Sequence, residues 1–551
     1  MSPTASNERK KKRKRRKSAS GSVAESSPTG TFSDHLESTT RLSYNSSIIL
    51  SPSSSQIPPV LSSRSFLTSN DNGFANYVKD HYPGFVHLPV VQYEQTLQQR
   101  DFHAYARQAL ERLRDASYYQ YDIVMAGGKH SSRTFVKRTL VGEPGITYKY
   151  LGVRLFAHAW SGPLASPAMK AIGEVNRRMI EITKRMPNPG LYNYNLTLIN
   201  FMEPTSHTSI GFKEEANYGM GKVSVSWHAD SSLESGSSIG VYHCFPTQRA
   251  ARWDWRIALR PSPDSNKPSN IAPVVVNTKD GDLYFLLGDF NENYQHCVLA
   301  GSQANRISST HRVAVTAEDT YDYILKRVKI ARKRFRLQLE GNEDEKTFKS
   351  PSPTTLDAKI IRYCQRVLTE LEMEWIAQYW LQGAEHDKMH VWWQRPMKTL
   401  EAYFSALEEY TYKLCQLCVN IDTSDMAPVD VLKVLLAEFK SRQSLRRHWD
   451  ERRGDKIYQR RISAEYRPVA RPLFLSKEQQ DGTKLDERLP KDLSSTIHQL
   501  SQVLKKRSGN VHTNEQNGSL STGCLTTGTK TNTSTGSKER IKKKKKKQRV
   551  H

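Results

Sequence analysis

The segment Lys222-Val-Ser-Val-Ser-Trp-His-Ala-Asp230 sets an imidazole and a carboxylate two residues apart at the end of an alternating run. In an extended strand successive side chains point to opposite faces, which predicts Ser224, Ser226, His228 and Asp230 on one face and Val223, Val225 and Trp227 on the other. His228 and Asp230 would then be two arms of a 2-His-1-carboxylate triad, the donor set that holds Fe(II) on one side and leaves the opposite positions open. His-x-Asp is frequent by chance as a surface pair, so a third ligand decides the matter. The candidate is His296, in Tyr294-Gln-His-Cys-Val-Leu, which follows the strand-like run Asp282–Leu287 and a turn-prone Gly-Asp-Phe-Asn stretch.

Just downstream, Arg306-Ile-Ser-Ser-Thr-His-Arg312 places Arg306, Ser308, Thr310 and Arg312 on one face of a strand by period two. Two guanidiniums flanking two hydroxyls suit a dicarboxylate, because arginine offers the planar fork that a carboxylate accepts in bidentate fashion. A surface strand of alternating polar residues has the same pattern and binds nothing, but the position after a candidate iron ligand favours the cradle. Two other histidines compete with His296 for the third arm. His243 lies in a short apolar run, where a satisfied core histidine is the expectation, and His311 faces away from the alternating arginine set.

Elements able to hold these residues are legible on both sides of them. From Thr139 to about Val315, short runs rich in Val, Ile, Tyr, Phe and Thr are separated by Gly, Pro and Asn, which predicts an all-β core. Ahead of it Phe102, Tyr105, Ala106, Ala109 and Leu113 recur at helical spacing, and ordered sequence is expected from about Phe74. Beyond Tyr321 the pattern becomes helical: Ile360, Cys364, Val367, Leu371 and Trp375, then Met397, Leu400, Phe404, Leu407, Thr411, Leu414, Cys418 and Ile421, keep three- and four-residue steps. Long amphipathic helices packed as a bundle follow. Cys415-x-x-Cys418 falls inside that stripe with no second pair, so packing is expected there rather than zinc or redox chemistry.

The 551 residues carry 82 Lys+Arg against 56 Asp+Glu, a net charge of +26 that points to polyanionic partners. The surplus is concentrated at the ends: residues 1–20 and residues 535–551 each hold nine Lys/Arg and one Glu. Both termini are otherwise Ser/Thr-rich with few large apolar side chains, a composition that cannot offset its own ordering entropy. The run Lys10 to Lys17 reads as a nuclear import signal in preference to a simple polyanion-binding arm. Neither a membrane-spanning apolar stretch nor a secretory signal is recognisable, and six scattered Cys make no disulfide framework, so a reducing compartment is expected. There is no internal repeat and no Gly-rich phosphate loop. The length argues for two or three domains.

Longer motifs narrow the reading. Gly142-Glu-Pro-Gly-Ile-Thr-Tyr-Lys-Tyr-Leu151, Asn200-Phe-Met-Glu-Pro204, Val225-Ser-Trp-His-Ala-Asp230, His296-Cys-Val-Leu-Ala-Gly-Ser-Gln303 and Ser308-Ser-Thr-His-Arg312 occur in that order. Glu374-Trp375, Trp392-Trp393 and Arg442-Gln-Ser-Leu-Arg-Arg-His-Trp449 follow in the helical half. With these motifs the chain resembles the fat-mass-and-obesity-associated family of AlkB-like, Fe(II)/2-oxoglutarate-dependent nucleic-acid demethylases, from about Phe74 to Leu504. The resemblance implies an α+β protein: a double-stranded β-helix (jelly-roll) catalytic domain over residues 71–320 and an all-α helical bundle over 321–505. Disordered basic tails, 1–70 and 506–551, would flank them.

It further implies Fe(II) on His228, Asp230 and His296, with O2 as co-substrate and ascorbate as a reductant in vitro. The distal carboxylate of 2-oxoglutarate would lie on Arg306, Ser308 and Tyr284, with Thr310 on the same strand face, and the metal-chelating end on Asn200 and Arg312. A methylated base would occupy a pocket of Arg138, Tyr148, Tyr150, Leu151, Val225, Ser226 and Trp227, between Tyr150 and His228. The departures are Ser231, where the family has a carboxylate lining the base pocket, Ala229 in place of a second His, and one extra residue before Arg306, assigned to the Gln303–Asn305 loop. Implied partners are single-stranded RNA or DNA carrying N-methylated bases, N6-methyladenosine in RNA first, and the import machinery, with no membrane. The implied compartment is the nucleus, with the cytoplasm second. The products would be succinate, CO2 and formaldehyde. Lys149, Lys213 and Lys222 are candidate phosphate contacts, and the Thr205–Tyr218 segment is a loop suited to exclude duplex. Two other classes fit part of the pattern: a protein hydroxylase or demethylase with the same iron set, and a non-catalytic RNA-binding protein on an inactive jelly-roll.

Overall fold

The computed structural model describes residues 65–96, 98–126, 130–206, 212–246, 255–267, 270–341, 356–381, 391–419, 428–454 and 492–516. The basic run Lys10–Lys17, the Lys542–Lys547 run and Ile421 lie outside the described residues. No described helix is long and apolar enough to cross a membrane.

Two β-sheets face each other. The smaller runs in the order Leu67–Thr68, Val274–Asn277, Arg256–Pro261, Tyr294–Leu299, Val223–His228. The larger runs Phe85–Leu88, Leu283–Leu286, Ile239–Cys244, Arg306–Arg312, Leu196–Met202, His130–Gly142, Gln120–Ala126, with the short strand His158–Ala159 beside His130–Gly142. Between them lies a shared apolar layer that includes Ile257, Leu259, Val274 and Val298 from one sheet and Val136, Met202, Ile239, Val241 and Leu286 from the other. This is the jelly-roll architecture, and alternation along each strand decides which residues enter it. Helices Phe102–Asp115 and Pro167–Thr183 cover the outer face of the larger sheet, burying Phe102, Leu110, Leu113, Ile172, Val175 and Met179 there.

The second of these helices was not anticipated from the sequence. Its signal is present: Ser166 caps it by accepting from the Met169 N–H, Pro167 occupies the first turn, and Met169, Ile172, Val175, Met179 and Ile182 form its buried stripe. The β-core also begins earlier than expected, with Gln120–Ala126 paired to His130–Gly142. At the N-terminus, Leu67 and Thr68 pair with Val274 and Val275, so ordered sheet precedes the expected boundary at residue 70.

The helical half comprises Tyr321–Glu340, Ala358–Glu370, Val391–Val419, Val429–Gly454 and Ser494–Gln516. Met397, Leu400, Phe404, Leu407, Thr411, Leu414 and Cys418 are all buried, as their spacing predicted. The helix Ser494–Gln516 runs past the expected start of the C-terminal tail at 506, and Ile497, Leu500, Val503 and Leu504 pack its first turns on the bundle. Cys415 and Cys418 are both buried free thiols, and burial pushes Cys418 up to about 12. After Glu370 the helix widens into a π-helical stretch, Leu371–Ile376. That stretch turns Glu372 toward Arg442 and Arg446, and its Trp375 toward the β-domain.

The halves meet at a two-stranded ribbon, Thr147–Tyr150 with Val153–Phe156. Phe156 is packed edge-on against Trp375, Tyr379 and Trp393. The Trp393 indole N–H donates to the Ala157 carbonyl at 2.9 Å. Arg154, fully buried, donates to the Glu374 carbonyl and to the Thr147 hydroxyl, pairs with Asp319 at 2.9 Å and lies over the Trp375 ring. A buried guanidinium is tolerated here because its donors meet acceptors.

Candidate metal and cosubstrate site

His228 ends the strand Val223–His228 and pairs across the ladder with His296 on Tyr294–Leu299. Their rings are 4.2 Å apart, and His228 Nε2 lies 3.6 Å from Asp230 Oδ1. One ligand atom from each of His228, Asp230 and His296 falls within 4.8 Å of the others, and among the described residues this is the metal-capable group found. The carbonyl of Ser226, 2.7 Å from His228 Nδ1, accepts its proton and so leaves the Nε2 lone pair for the site.

Strict alternation does not produce this arrangement. Pairing of the two strands slips between His296 and Val298 and again between Val298 and Leu299, so the strand carries β-bulges. Val225 therefore joins the inner layer with Val298, whereas Val223 and Trp227 pack with Cys297 and Leu299 on the outer face. The predicted common face of Val223, Val225 and Trp227 is thus incorrect. Trp227, which the resemblance placed in the base pocket, donates its indole N–H to Glu215 at 2.8 Å and packs on Tyr218, anchoring the 212–222 loop. Asp230 lies beyond the strand, and Asn291 holds it there, its Oδ1 accepting from the Asp230 N–H and its Nδ2 donating to the Asp230 carbonyl, each at 2.8 Å. Sequence reasoning missed Asn291, which comes from the short helix Phe290–Asn293 in the stretch read only as a turn.

The charges around the triad fit a cation. Burial alone raises the Asp230 pKa, but Arg312, 2.8 Å away, and the two imidazoles hold the carboxyl well below the usual range. Burial, helped by the charge of His228, takes His296 down to about 3, so it stays neutral and free to ligate.

The arginine strand is inner-facing as predicted, and every residue from Arg306 to Arg312 is buried. Arg306 donates to the Met202 sulfur, and its Nε and Nη2 find no acceptor in the fold. Tyr284, itself buried, lies beside Arg306 and has its pKa raised by burial. Asn200 Oδ1 and Arg312 Nε are likewise buried without partners. The orphaned N–H donors of Arg306 and Arg312 are costly in a dry cleft unless a ligand satisfies them, and a dicarboxylate supplies the acceptors they lack, whereas Asn200 Oδ1 is itself an acceptor. The residues present therefore fit 2-oxoglutarate as well as the metal. Arg312 does more than the cradle reading allowed: besides pairing with Asp230 it donates to the Tyr148 hydroxyl at 3.1 Å. Register places Ser308 opposite Asn200, Asn200 opposite Arg138, and Thr310 between Val241 and Leu198.

Around the remaining predicted pocket residues, Tyr148 is buried and donates to the Ser231 carbonyl, while Tyr150 is half-buried and stacks on Tyr148 at 6.5 Å. Arg138 lies over the Tyr150 ring, 4.3 Å from its centroid. Leu151, at φ 43°, is exposed, as are Ser226 and Ser231. Of the candidate phosphate contacts, Lys149 is 3.6 Å from Asp319, and Lys213 and Lys222 are exposed. His311 points outward and is satisfied by Asn176, Thr197 and Ser309, as its exclusion required. His243 is inward-facing and unsatisfied, contrary to the expectation of a satisfied core histidine.

Comparison with known proteins agrees with this chemistry. The model of the FTO catalytic domain matches residues 72–186 and 175–315, and that of the FTO C-terminal domain matches 319–502. An alpha-ketoglutarate-dependent dioxygenase FTO from Xenopus laevis is 29% identical over 452 residues, covering 72% of this chain and 85% of its own length. Among solved structures, a Trichoplax adhaerens prolyl hydroxylase bound to a hypoxia-inducible-factor peptide aligns at TM-score 0.26 and 11% identity, covering 44% of this chain and 88% of that one. A 2OG-Fe(II) oxygenase family oxidoreductase from Burkholderia pseudomallei aligns at 0.25 and 18%, covering 45% and 94%. With both family models matched in order and a metal-capable triad beside an unsatisfied arginine cradle, the chain belongs to the FTO family of alpha-ketoglutarate-dependent dioxygenases, which use Fe(II), 2-oxoglutarate and O2.

Proposed function

We propose that this dioxygenase removes N-methyl groups from bases in single-stranded nucleic acid, with N6-methyladenosine in RNA as its first substrate. One observation carries the reading. A continuous set of contacts runs from the metal ligand Asp230 through Arg312 and Tyr148 to the half-buried ring of Tyr150, with Arg138 above it. An aromatic face tied to the metal suits an unstacked base, since stacking on such a face is worth about 1–3 kcal/mol per base.

Fe(II) with 2-oxoglutarate and O2 supplies the oxidising power that hydroxylates a methyl C–H, and the hydroxymethyl amine then releases formaldehyde. The residues of the chain do the rest. His228, Asp230 and His296 would hold the metal, and Arg306, Ser308 and Tyr284 would bind the distal carboxylate of 2-oxoglutarate. Asn200 and Arg312 would hold its other end. Tyr150 stacks the base and Arg138 contacts its polar edge, which orients the methyl group, while the buried aromatic floor at Tyr148 excludes water. The loop anchored by Trp227 and Glu215 would stand against a second strand, and Lys213 and Lys222 would meet phosphates. The Lys10–Lys17 run would direct the protein to the nucleus.

The test is mass spectrometry of a single-stranded RNA oligonucleotide carrying N6-methyladenine, beside its DNA and duplex counterparts and a methyl-lysine peptide. Loss of one methyl mass from the single strands, abolished by Arg138→Ala with Tyr150→Ala, supports the proposal. Demethylation of the peptide that survives both substitutions would replace it with a protein demethylase.

A further inference from the structure

His243 and His311 lie on neighbouring strands of the larger sheet and are both completely buried. On the outer face His311 has all its needs met, with Nδ1 2.7 Å from Asn176 and 3.0 Å from Thr197, and Nε2 3.1 Å from Ser309. His243, on the inner face, has no partner for either ring nitrogen. Leaving a buried polar group unsatisfied is destabilising, so an apolar residue would serve the core better unless something else occupies the space beside the ring.

The ladder shows what lies beside it. His243 is directly opposite Ser308, and Ser308 is opposite Asn200, which is opposite Arg138. On its other side the His243 N–H meets the Asp282 carbonyl. A row of polar residues thus crosses the inner face of the sheet. Arg306, two residues before Ser308, is the diagonal neighbour of His243, and burial, helped by the Arg306 charge, holds the imidazole in the neutral form. Unpaired N–H groups of Arg306 and the unpaired ring of His243 therefore flank the same hydroxyl.

We propose that His243 is a further donor to the distal carboxylate of 2-oxoglutarate, acting beside Arg306 and Ser308. The inference rests on 2-oxoglutarate occupying the arginine cradle. One N–H of the neutral ring donates to a carboxylate oxygen, which completes the end of the cosubstrate farthest from the metal and fixes its depth in the pocket.

Isothermal titration of full-length protein loaded with Mn(II), a redox-silent substitute for iron, separates the possibilities. The titrants are 2-oxoglutarate and oxalate, which shares the chelating end and lacks the distal carboxylate. His243→Leu should weaken 2-oxoglutarate about tenfold, the equivalent of roughly 1.4 kcal/mol, and leave oxalate within about twofold of wild type on the same scale. His243→Gln, which keeps a donor, should recover most of the loss. The melting temperature of metal-free His243→Leu should equal or exceed that of wild type, because an unsatisfied group has been replaced by an apolar one. Unchanged 2-oxoglutarate affinity in His243→Leu overturns the proposal and leaves the ring a core side chain. Equal weakening of oxalate overturns it too, in favour of a structural role. Failure of wild type to bind 2-oxoglutarate while retaining Mn(II) would instead remove the cosubstrate assignment beneath it.

Discussion

Replacing Phe156 by Ala should damage the substrate pocket from a distance, through the ribbon that joins the two halves. The ring is 1% exposed and meets Trp393, Tyr379 and Trp375 at centroid distances of 4.9, 5.3 and 6.3 Å, all steeply inclined. Truncating a buried Phe costs about 3–5 kcal/mol, and three edge-to-face neighbours place this site toward the upper end. Against a typical total of about 5–15 kcal/mol, that is a large share of stability. The same ribbon carries Tyr148 and Tyr150, so loosening it should weaken binding of single-stranded RNA more than binding of 2-oxoglutarate, whose cradle lies on the larger sheet. Urea unfolding followed by tryptophan fluorescence, with the two affinities measured below the transition, reads both effects. Leu164→Ala, at a surface-exposed position, is the control and should change stability by less than about 0.5 kcal/mol. A loss below about 1 kcal/mol for Phe156→Ala, or equal weakening of RNA and 2-oxoglutarate, would refute the idea that the helical half seats the pocket.

Other expectations follow from single contacts. Asn291→Ala removes both hydrogen bonds that hold the Asp230 backbone, and Mn(II) affinity measured by titration should fall about 10–100-fold; wild-type affinity would show that Asp230 is positioned by Arg312 alone. His311 is buried neutral with its pKa taken down to about 3 by desolvation, so below its unfolded value near 6.5 the unfolded chain binds the extra proton. Stability should therefore fall as pH drops from about 6.5 toward 3, by up to about 1.4 kcal/mol per pH unit for this group. His311→Asn should flatten that slope in denaturant titrations, and an unaltered slope would contradict the assignment. Trp227→Phe removes the indole donor that Glu215 accepts and should admit methylated duplex more readily, with turnover of single strands unchanged; identical discrimination would separate the loop from strand selection.

Much of the site was legible because strands write their faces into the sequence with period two. Arg306, Ser308, Thr310 and Arg312 do share the inner face, and the helix stripe from Met397 to Cys418 is buried as its spacing said. Where the period broke, reading failed: two register shifts turn Val225 inward, away from Val223 and Trp227, and no local signal distinguishes a bulged strand from a regular one. His228 and Asp230 do converge, but through Asn291 rather than a shared strand face. Contacts of that kind, like the Arg312 bonds to Asp230 and Tyr148, join residues distant in the chain and leave no spacing to read. His243 shows the same limit, since an apolar run shows burial but not whether a buried ring is satisfied.

The most direct test measures succinate and formaldehyde together from one reaction containing Fe(II), 2-oxoglutarate, ascorbate, O2 and N6-methyladenine RNA, in wild type and in His296→Ala. If His228, Asp230 and His296 hold the iron that drives N-demethylation, the two products should rise in equal amounts in wild type and vanish together in the variant. Succinate without formaldehyde would contradict the base as substrate, and products that persist in His296→Ala would contradict the triad itself.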